Sequence, residues 1–455
     1  MSSSRKLEGT LRGHKAGISA IQFLYLPTAL TYSTSNTRHH FLKPTLITGD
    51  ESGLIIWWDL TTRRQLTSWQ AHGTIDSASP NAVITLQQLG ITWMLSQEGT
   101  YEFPVIDKRW YGCLLSHGKD GEIKIWRLFS VVTCGDYGLK YQLYTPLHQA
   151  LPPKVVFQMP VNMLNFSNVE MVDDRLVTPG TEDSNKFDIY TVPIPGTDES
   201  GTGLKRLFKA VQFESDNPNF THRNGFGIVM KFAWIDRDHI AVGYESGHVV
   251  TYELAQNTVK AITINSIHTP EPVTALYYDW SRDIILSASS TDCLAIMSGR
   301  KAIETSSLSF PVDTTSAISV HHIKHRGIGD LSVSTDGTVG VVTWDGYTRF
   351  FHYTEGNSDL TFVFKVKRQA PSISDNRISS DNDIKQESLL HSQKSSALVY
   401  SRTQIPYTFI KESRTLEYND GMSKNLVRRR LERNFDNHWA LIGYKDGRVA
   451  VYSEK

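Results

Sequence analysis

One short pattern recurs along this chain and limits its fold more than any other feature. Leu46-Ile-Thr-Gly-Asp-Glu-Ser-Gly-Leu-Ile-Ile-Trp-Trp-Asp59 reads as a buried strand, a tight glycine-containing turn and a second strand ending in Trp58-Asp59. The turn pair stands six and five residues before a large side chain that closes the second strand. That spacing returns at Ser52-Gly53 with Trp58, Asp120-Gly121 with Trp126, Ser184-Asn185 with Tyr190, Ser246-Gly247 with Tyr252, Thr291-Asp292 with Met297, Asp345-Gly346 with Phe351 and Asp446-Gly447 with Tyr452. Such pairs suit a two-residue hairpin, because the turn needs φ > 0, which Gly reaches without a Cβ clash and Asn or Asp tolerates. Further apolar stretches precede the hairpins, among them Ile18 to Ile21, Val83 to Leu86, Val161 to Leu164, Val273 to Leu276 and Ile328 to Leu331. They predict the innermost strand of each unit. One unit cannot bury its own apolar faces, so seven in series predict an all-β, seven-bladed β-propeller.

The units resemble WD repeats, in which Gly-His precedes the inner strand, Ser or Thr follows in the second, Asp sits in the turn and Trp-Asp closes the third. Blade two carries His72, Ser116, Asp120 and Trp126 at these four positions. Trp can only donate, ionised Asp can only accept, and His with Ser can bridge them, so the set is stable when every member is satisfied. Blade one has His14, Thr48 and Trp58 but Ser52 where Asp is expected, which predicts a weaker network. These residues read as scaffold, with no catalytic role.

The last hairpin runs almost to residue 455 and leaves no room for its outer strand. Leu7 to Arg12, just before Gly13-His14, is placed to supply it and so to close the ring without exposed edges. Residues 1–455 thus read as a single domain, with polar insertions at about 197–223, 370–396 and 413–437, the last two expected to interrupt the final blade. The third insertion holds the basic residues Arg428, Arg429, Arg430 and Arg433, a candidate partner contact or a weak nuclear-import signal, with a solvated charged loop as the plainer reading. His321, His322 and His325 invite a metal reading, but no Cys or carboxylate cluster accompanies them and His325 stands where a repeat expects its own His, so no metal is assigned.

Composition narrows the function. Lys+Arg and Asp+Glu are both 47, so no global field draws the chain to nucleic acid or to an anionic membrane. Three scattered cysteines, Cys113, Cys134 and Cys293, argue for a reducing compartment. No signal-peptide run and no stretch near the roughly 20 apolar residues of a membrane helix occurs, so the sequons at Asn165 and Asn219 read as chance. The chain lacks GxxxxGK[ST], HExxH, GxSxG and CxxC, and no cofactor or small-molecule substrate is implied. A non-enzymatic binding scaffold is the expectation.

Three scaffold classes compete. A signalling Gβ subunit resembles the run Leu54 to Asp59, but barely a dozen residues precede Gly13-His14, too few for the helix that pairs with a γ subunit. A ubiquitin-ligase substrate receptor calls for Trp-Asp-x-Arg, whereas the chain reads Trp58-Asp59-Leu60-Thr61 and Trp126-Arg127-Leu128-Phe129. Finer likeness lies in Leu11-Arg-Gly-His-Lys-Ala-Gly-Ile-Ser-Ala20, in Thr48 to Gly53 followed by Thr61-Thr-Arg-Arg64, and in Gly327 to Leu331 with Thr343-Trp-Asp-Gly-Tyr-Thr-Arg-Phe-Phe351. These resemble the fungal ASTRA-associated protein 1 family, whose animal relatives are called Gβ-like. The resemblance implies an ASTRA subunit acting beside RuvB-like AAA+ ATPases and TELO2–TTI-type co-chaperone subunits. That machinery matures PI3K-related kinases, a pseudokinase among them, and is linked to chromatin remodelling. It implies the nucleus, with the cytoplasm as the other compartment, and docking by a few aromatic and Arg anchors.

Overall fold

The computed structural model describes residues 6–34, 37–73, 81–95, 102–133, 139–143, 152–164, 166–194, 203–214, 225–300, 311–354, 359–368, 394–404 and 438–454. Each turn pair read from the sequence lies between the second and third strands of an antiparallel sheet, and seven such sheets form the blades. At Gly53 the backbone has φ 86°, and a Cβ there would stand 2.1 Å from the carbonyl oxygen of His72, so both conformation and space demand glycine.

From the inner strand outward, blade one is Ile18–Thr34, Thr37–Asp50, Leu54–Asp59 and Arg64–Gln70. Blade two is Val83–Gln88, Cys113–Gly118, Glu122–Arg127 and Lys154–Pro160, and blade three is Glu170–Val172, Arg175–Pro179, Phe187–Thr191 and Lys205–Val211. Blade four, Val229–Trp234, His239–Tyr244, Val249–Leu254 and Val259–Asn265, takes a fifth, parallel strand at Val312–Asp313. Blade five is Val273–Asp279, Ile284–Ser289, Cys293–Ser298 and Ser319–His322. Blade six is Ile328–Val333, Thr338–Thr343, Thr348–Thr354 and Asp359–Val366, and blade seven is Ser395–Tyr400, His438–Tyr444 and Arg448–Glu454. The outermost strand of blade seven is Lys6–Arg12, antiparallel to Arg448–Glu454 with Leu7 opposite Tyr452. Leu11, only 1% exposed, anchors this closure in the core.

The core is distributed between neighbouring blades. Val177, Phe187 and Ile189 of blade three meet Phe232, Val242 and Tyr252 of blade four, and similar clusters fill the other junctions. Central strands are covered on both faces, which is why Leu54–Asp59 is apolar from Leu54 to Trp58 and does not alternate. The innermost strands leave a backbone edge facing the axis, and amide side chains from the adjacent blade serve it. Gln88 accepts from the Tyr25 N–H (2.7 Å) and donates to the Tyr25 carbonyl (3.0 Å). Gln87 clamps Met171 in the same two-bond manner, and Asn168 clamps Phe232. Each clamp reproduces a ladder rung where no strand is available.

Three expectations are corrected. Val161 to Leu164 is no strand: Asn162 Oδ1 accepts the Leu164 N–H at 2.9 Å, an Asx turn that redirects the chain and leaves Met163 and Leu164 exposed. The inner strand of blade three is the three-residue Glu170–Val172. The polar stretch 197–223 contains the outer strand of that blade, Lys205–Val211, whose apolar residues pack inward among charged neighbours. Finally, 370–396 runs into the inner strand of blade seven and so joins two blades, while 413–437 falls between that blade's first and second strands. Arg428, Arg429, Arg430 and Arg433 lie outside the described residues.

Candidate partner-binding faces

On the face carrying the two-residue turns, the blade-two set forms a chain of hydrogen bonds. Trp126 Nε1 donates to Ser116 Oγ (2.8 Å), Ser116 pairs with His72 Nε2 (2.8 Å), and His72 Nδ1 meets Asp120 at 3.0 Å. Because Trp only donates and the carboxylate only accepts, the proton order is fixed: Nδ1 carries hydrogen and Nε2 accepts from the hydroxyl.

Blade one holds an equally complete relay, contrary to the expectation from Ser52. Trp58 Nε1 donates to Thr48 Oγ1 (2.8 Å), Thr48 meets His14 Nε2 (2.6 Å), and His14 Nδ1 meets a carboxylate at 2.7 Å. That carboxylate is Asp50, fully buried and two residues earlier than the expected slot. Ser52 instead donates its N–H and hydroxyl to Asp50 Oδ1, which also accepts the Leu54 N–H. Burial alone would raise the Asp50 pKa, but the donors His14, Ser52 and Leu54 outweigh it and hold the carboxyl below its usual range. In blade two the acceptor comes from the turn, at Asp120, and in blade one from the strand end two residues earlier in register, at Asp50.

Other blades keep parts of the device that the sequence reading passed over. In blade five His268 Nε2 pairs with Ser287 Oγ at 2.8 Å, with Met297 in place of Trp. In blade six the buried Arg349 holds Asp345 through both guanidinium nitrogens, and His325 stands 3.7 Å away, half exposed. A His four or five residues before an inner strand was the available signal for His268. No sequence rule pointed to Arg349 as a substitute for His. His321 and His322 face Asp359 and Asp292, so the three histidines turn to separate carboxylates, and among the described residues no group of three metal-binding side chains occurs.

The opposite face, where first and second strands join, is built up by protruding hairpins. The first two strands of blade one run far past their neighbours in length, and blade two adds Ile91–Leu95 with Glu102–Ile106 and Phe129–Thr133 with Leu139–Leu143. The first of these straps the channel mouth. Its Glu102, fully buried, accepts from Arg402 of blade seven (3.1 Å) and from Thr335 of blade six (2.8 Å). Arg282 of blade five donates to the Thr335 carbonyl and pairs with Asp279 at 2.7 Å. Four blades are thereby joined in one polar network.

Beneath the strap lies a cavity of about 670 Å³, lined by Gln22, Trp93, Glu170, Trp234, Tyr277 and Arg402 among others. Burial raises Glu170 to about 7 against the pull of the Trp234 N–H, and raises Asp330, further along the axis, to about 6. Met94 and Val105 on the strap are about half exposed. The rim charges are largely paired, Arg237 with Asp174 at 3.0 Å and Arg300 with Asp236 at 3.7 Å. Such a surface offers apolar anchors within a charged rim, the composition of a protein-docking face.

Comparison with known proteins agrees along the whole ring. The family model for ASTRA-associated protein 1 matches residues 7–452. The ASTRA-associated protein 1 of Komagataella phaffii is 31% identical over 465 residues, covering 98% of this chain and 96% of that one. Those of Meyerozyma guilliermondii and Scheffersomyces stipitis are each 25% identical, covering 98% and 97% of this chain and 98% and 97% of their own lengths.

Proposed function

Because this chain belongs to the ASTRA-associated protein 1 family, we propose that it is a non-enzymatic scaffold subunit of the ASTRA complex. In this reading the propeller docks RuvB-like AAA+ ATPases and TELO2–TTI-type co-chaperone subunits during maturation of PI3K-related kinases, in the nucleus, with a link to chromatin remodelling. The observation that carries it is the family match over nearly the full ring, together with a strapped face that sets exposed Met94 and Val105 among paired charges. Two carboxyl groups of the channel serve the backbone: Glu170 accepts the Trp234 N–H and Asp330 the Leu398 N–H. Docking by a rigid ring fits these facts, since preorganised faces lose little conformational entropy on binding.

Affinity purification of the intact tagged chain with mass spectrometry tests the reading. Recovery of the AAA+ ATPases and the co-chaperone subunits is the expected result. A γ-like subunit or a cullin adaptor in their place overturns it. Imaging of the same tagged chain should place it in the nucleus.

A further inference from the structure

A second surface lies on the turn face at the junction of blades six and seven. Arg12 and Arg448 stand directly opposite each other in the closing strand pair. Like charges so placed destabilise a sheet. Arg368, from the connection between the two blades, reaches over the blade-seven turn to Asp446, and its proton affinity is lowered by burial and by the proximity of Arg448 and Arg12. On the adjoining blade-six edge, Lys365 and Lys367 both sit over the Tyr347 ring, at 4.8 and 4.9 Å from its centroid. Among the described residues Asp446 is the carboxylate paired with this group, serving Arg368 and Arg448, while Arg12, Lys365 and Lys367 pair with none. Beside Tyr347 in the same turn, Trp344 is 52% exposed, its ring laid against Gly327.

Charges on an edge strand can serve simply to block pairing with other sheets. That accounts for Lys365 and Lys367. It does not account for two arginines facing each other across the closing strands with a third packed against them. A local cost of this kind, with one carboxylate beside three arginines, is expected at functional sites.

We propose that this patch docks an acidic, extended segment of a protein partner, its carboxylates taken by Arg12, Lys365, Lys367 and Arg448 and an apolar side chain by Trp344. The proposal rests on the scaffold reading and names one surface through which it would work. A peptide is favoured over nucleic acid because the chain is neutral overall and the patch is local, whereas phosphate-backbone binding draws on an extended basic track.

The test is fluorescence anisotropy of the intact chain with a labelled peptide of about a dozen alternating Asp and Glu residues. Binding should weaken as salt rises, and K365E/K367E should reduce affinity by roughly tenfold or more, with the same direction for R12Q/R448Q. Arg12→Gln alone should leave the thermal midpoint unchanged or raise it; a clear fall would assign the arginine to the fold and sink the proposal. No measurable peptide binding, or tighter binding of an oligothymidylate of matched charge, also overturns it. In purifications, equal recovery of all partners by wild type and K365E/K367E refutes the patch and leaves the scaffold reading intact. If wild type recovers no ASTRA subunit, the scaffold reading falls and the peptide titration alone judges the patch.

Discussion

Asp50 lends itself to a quantitative test, because the side chain at position 52 was the residue expected to matter. Asp50→Ala removes the acceptor for His14 Nδ1, for the N–H groups of Ser52 and Leu54 and for the Ser52 hydroxyl. A buried donor left unserved costs about 1–3 kcal/mol; the His14 ring belongs toward the upper end and the half-buried Leu54 N–H at the low end, while the Ser52 groups, on an exposed residue, turn to water. The sum is about 3–4 kcal/mol, against a total stability of about 5–15 kcal/mol for a folded domain. Ser52→Ala removes one hydrogen bond and leaves the relay whole, at about 1 kcal/mol. Urea unfolding of the full chain, followed by tryptophan fluorescence, should therefore separate the two variants clearly, Trp58 itself reporting on the relay. Equal shifts for both would refute the assignment of Asp50 as the acceptor. The pH dependence gives a second check. Since the folded carboxyl lies below its ordinary value, its contribution is present above the ordinary carboxylate range and is lost as pH falls through the lower folded value. The deficit of Asp50→Ala against wild type should be constant near neutrality and close in acid.

Three further outcomes are expected. Arg402→Ala leaves Glu102 buried beneath the strap with Thr335 as its remaining side-chain donor; because Arg402 is a quarter exposed, the loss should be about 2–3 kcal/mol, short of the 3–5 of a fully buried pair, and amide exchange should rise first in Glu102–Ile106. Glu170, raised by burial to about 7, contributes fully below the ordinary carboxyl range and loses that contribution as pH rises through 7; Glu170→Gln should match wild type near about pH 4 and exceed it by about 1 kcal/mol near about pH 8, a value set low because the carboxyl borders the open channel. Deleting residues 1–12 removes the outer strand of blade seven and the buried Leu11, and the thermal midpoint should fall substantially; an unchanged melt would rule out this closure.

What the sequence revealed and what it hid have physical reasons. The hairpins were legible because a turn with φ > 0 restricts residue type and a fixed strand length puts a large side chain five residues on, as at Gly53 and Trp58. Ring closure was legible because blade seven visibly lacked a strand. The inner strand of blade three was hidden, since Val161 to Leu164 imitates an apolar strand while Glu170–Val172 has only three residues. The blade-one acceptor was hidden for a different reason. Spacing equates Ser52 with Asp120, but Asp50 is equivalent to Gly118, where a Cβ would stand 2.2 Å from His72 Nδ1. The site has room for one carboxylate and is indifferent to which strand position provides it. Contacts such as Gln87 with Met171, or Arg12 beside Arg448, join residues far apart in the chain and leave no local pattern to read.

The pairing of Lys6–Arg12 with Arg448–Glu454 also sets a schedule. At a synthesis rate of about 5–20 residues per second, the first strand waits roughly 20–90 s for its partner to leave the ribosome. Through that interval Leu11 has no blade to enter, and six complete blades stand in an open arc. A stop codon shortly before Arg448 would therefore strand Lys6–Arg12 as well as blade seven, leaving a product that a quality-control protease can recognise by its unclosed edges.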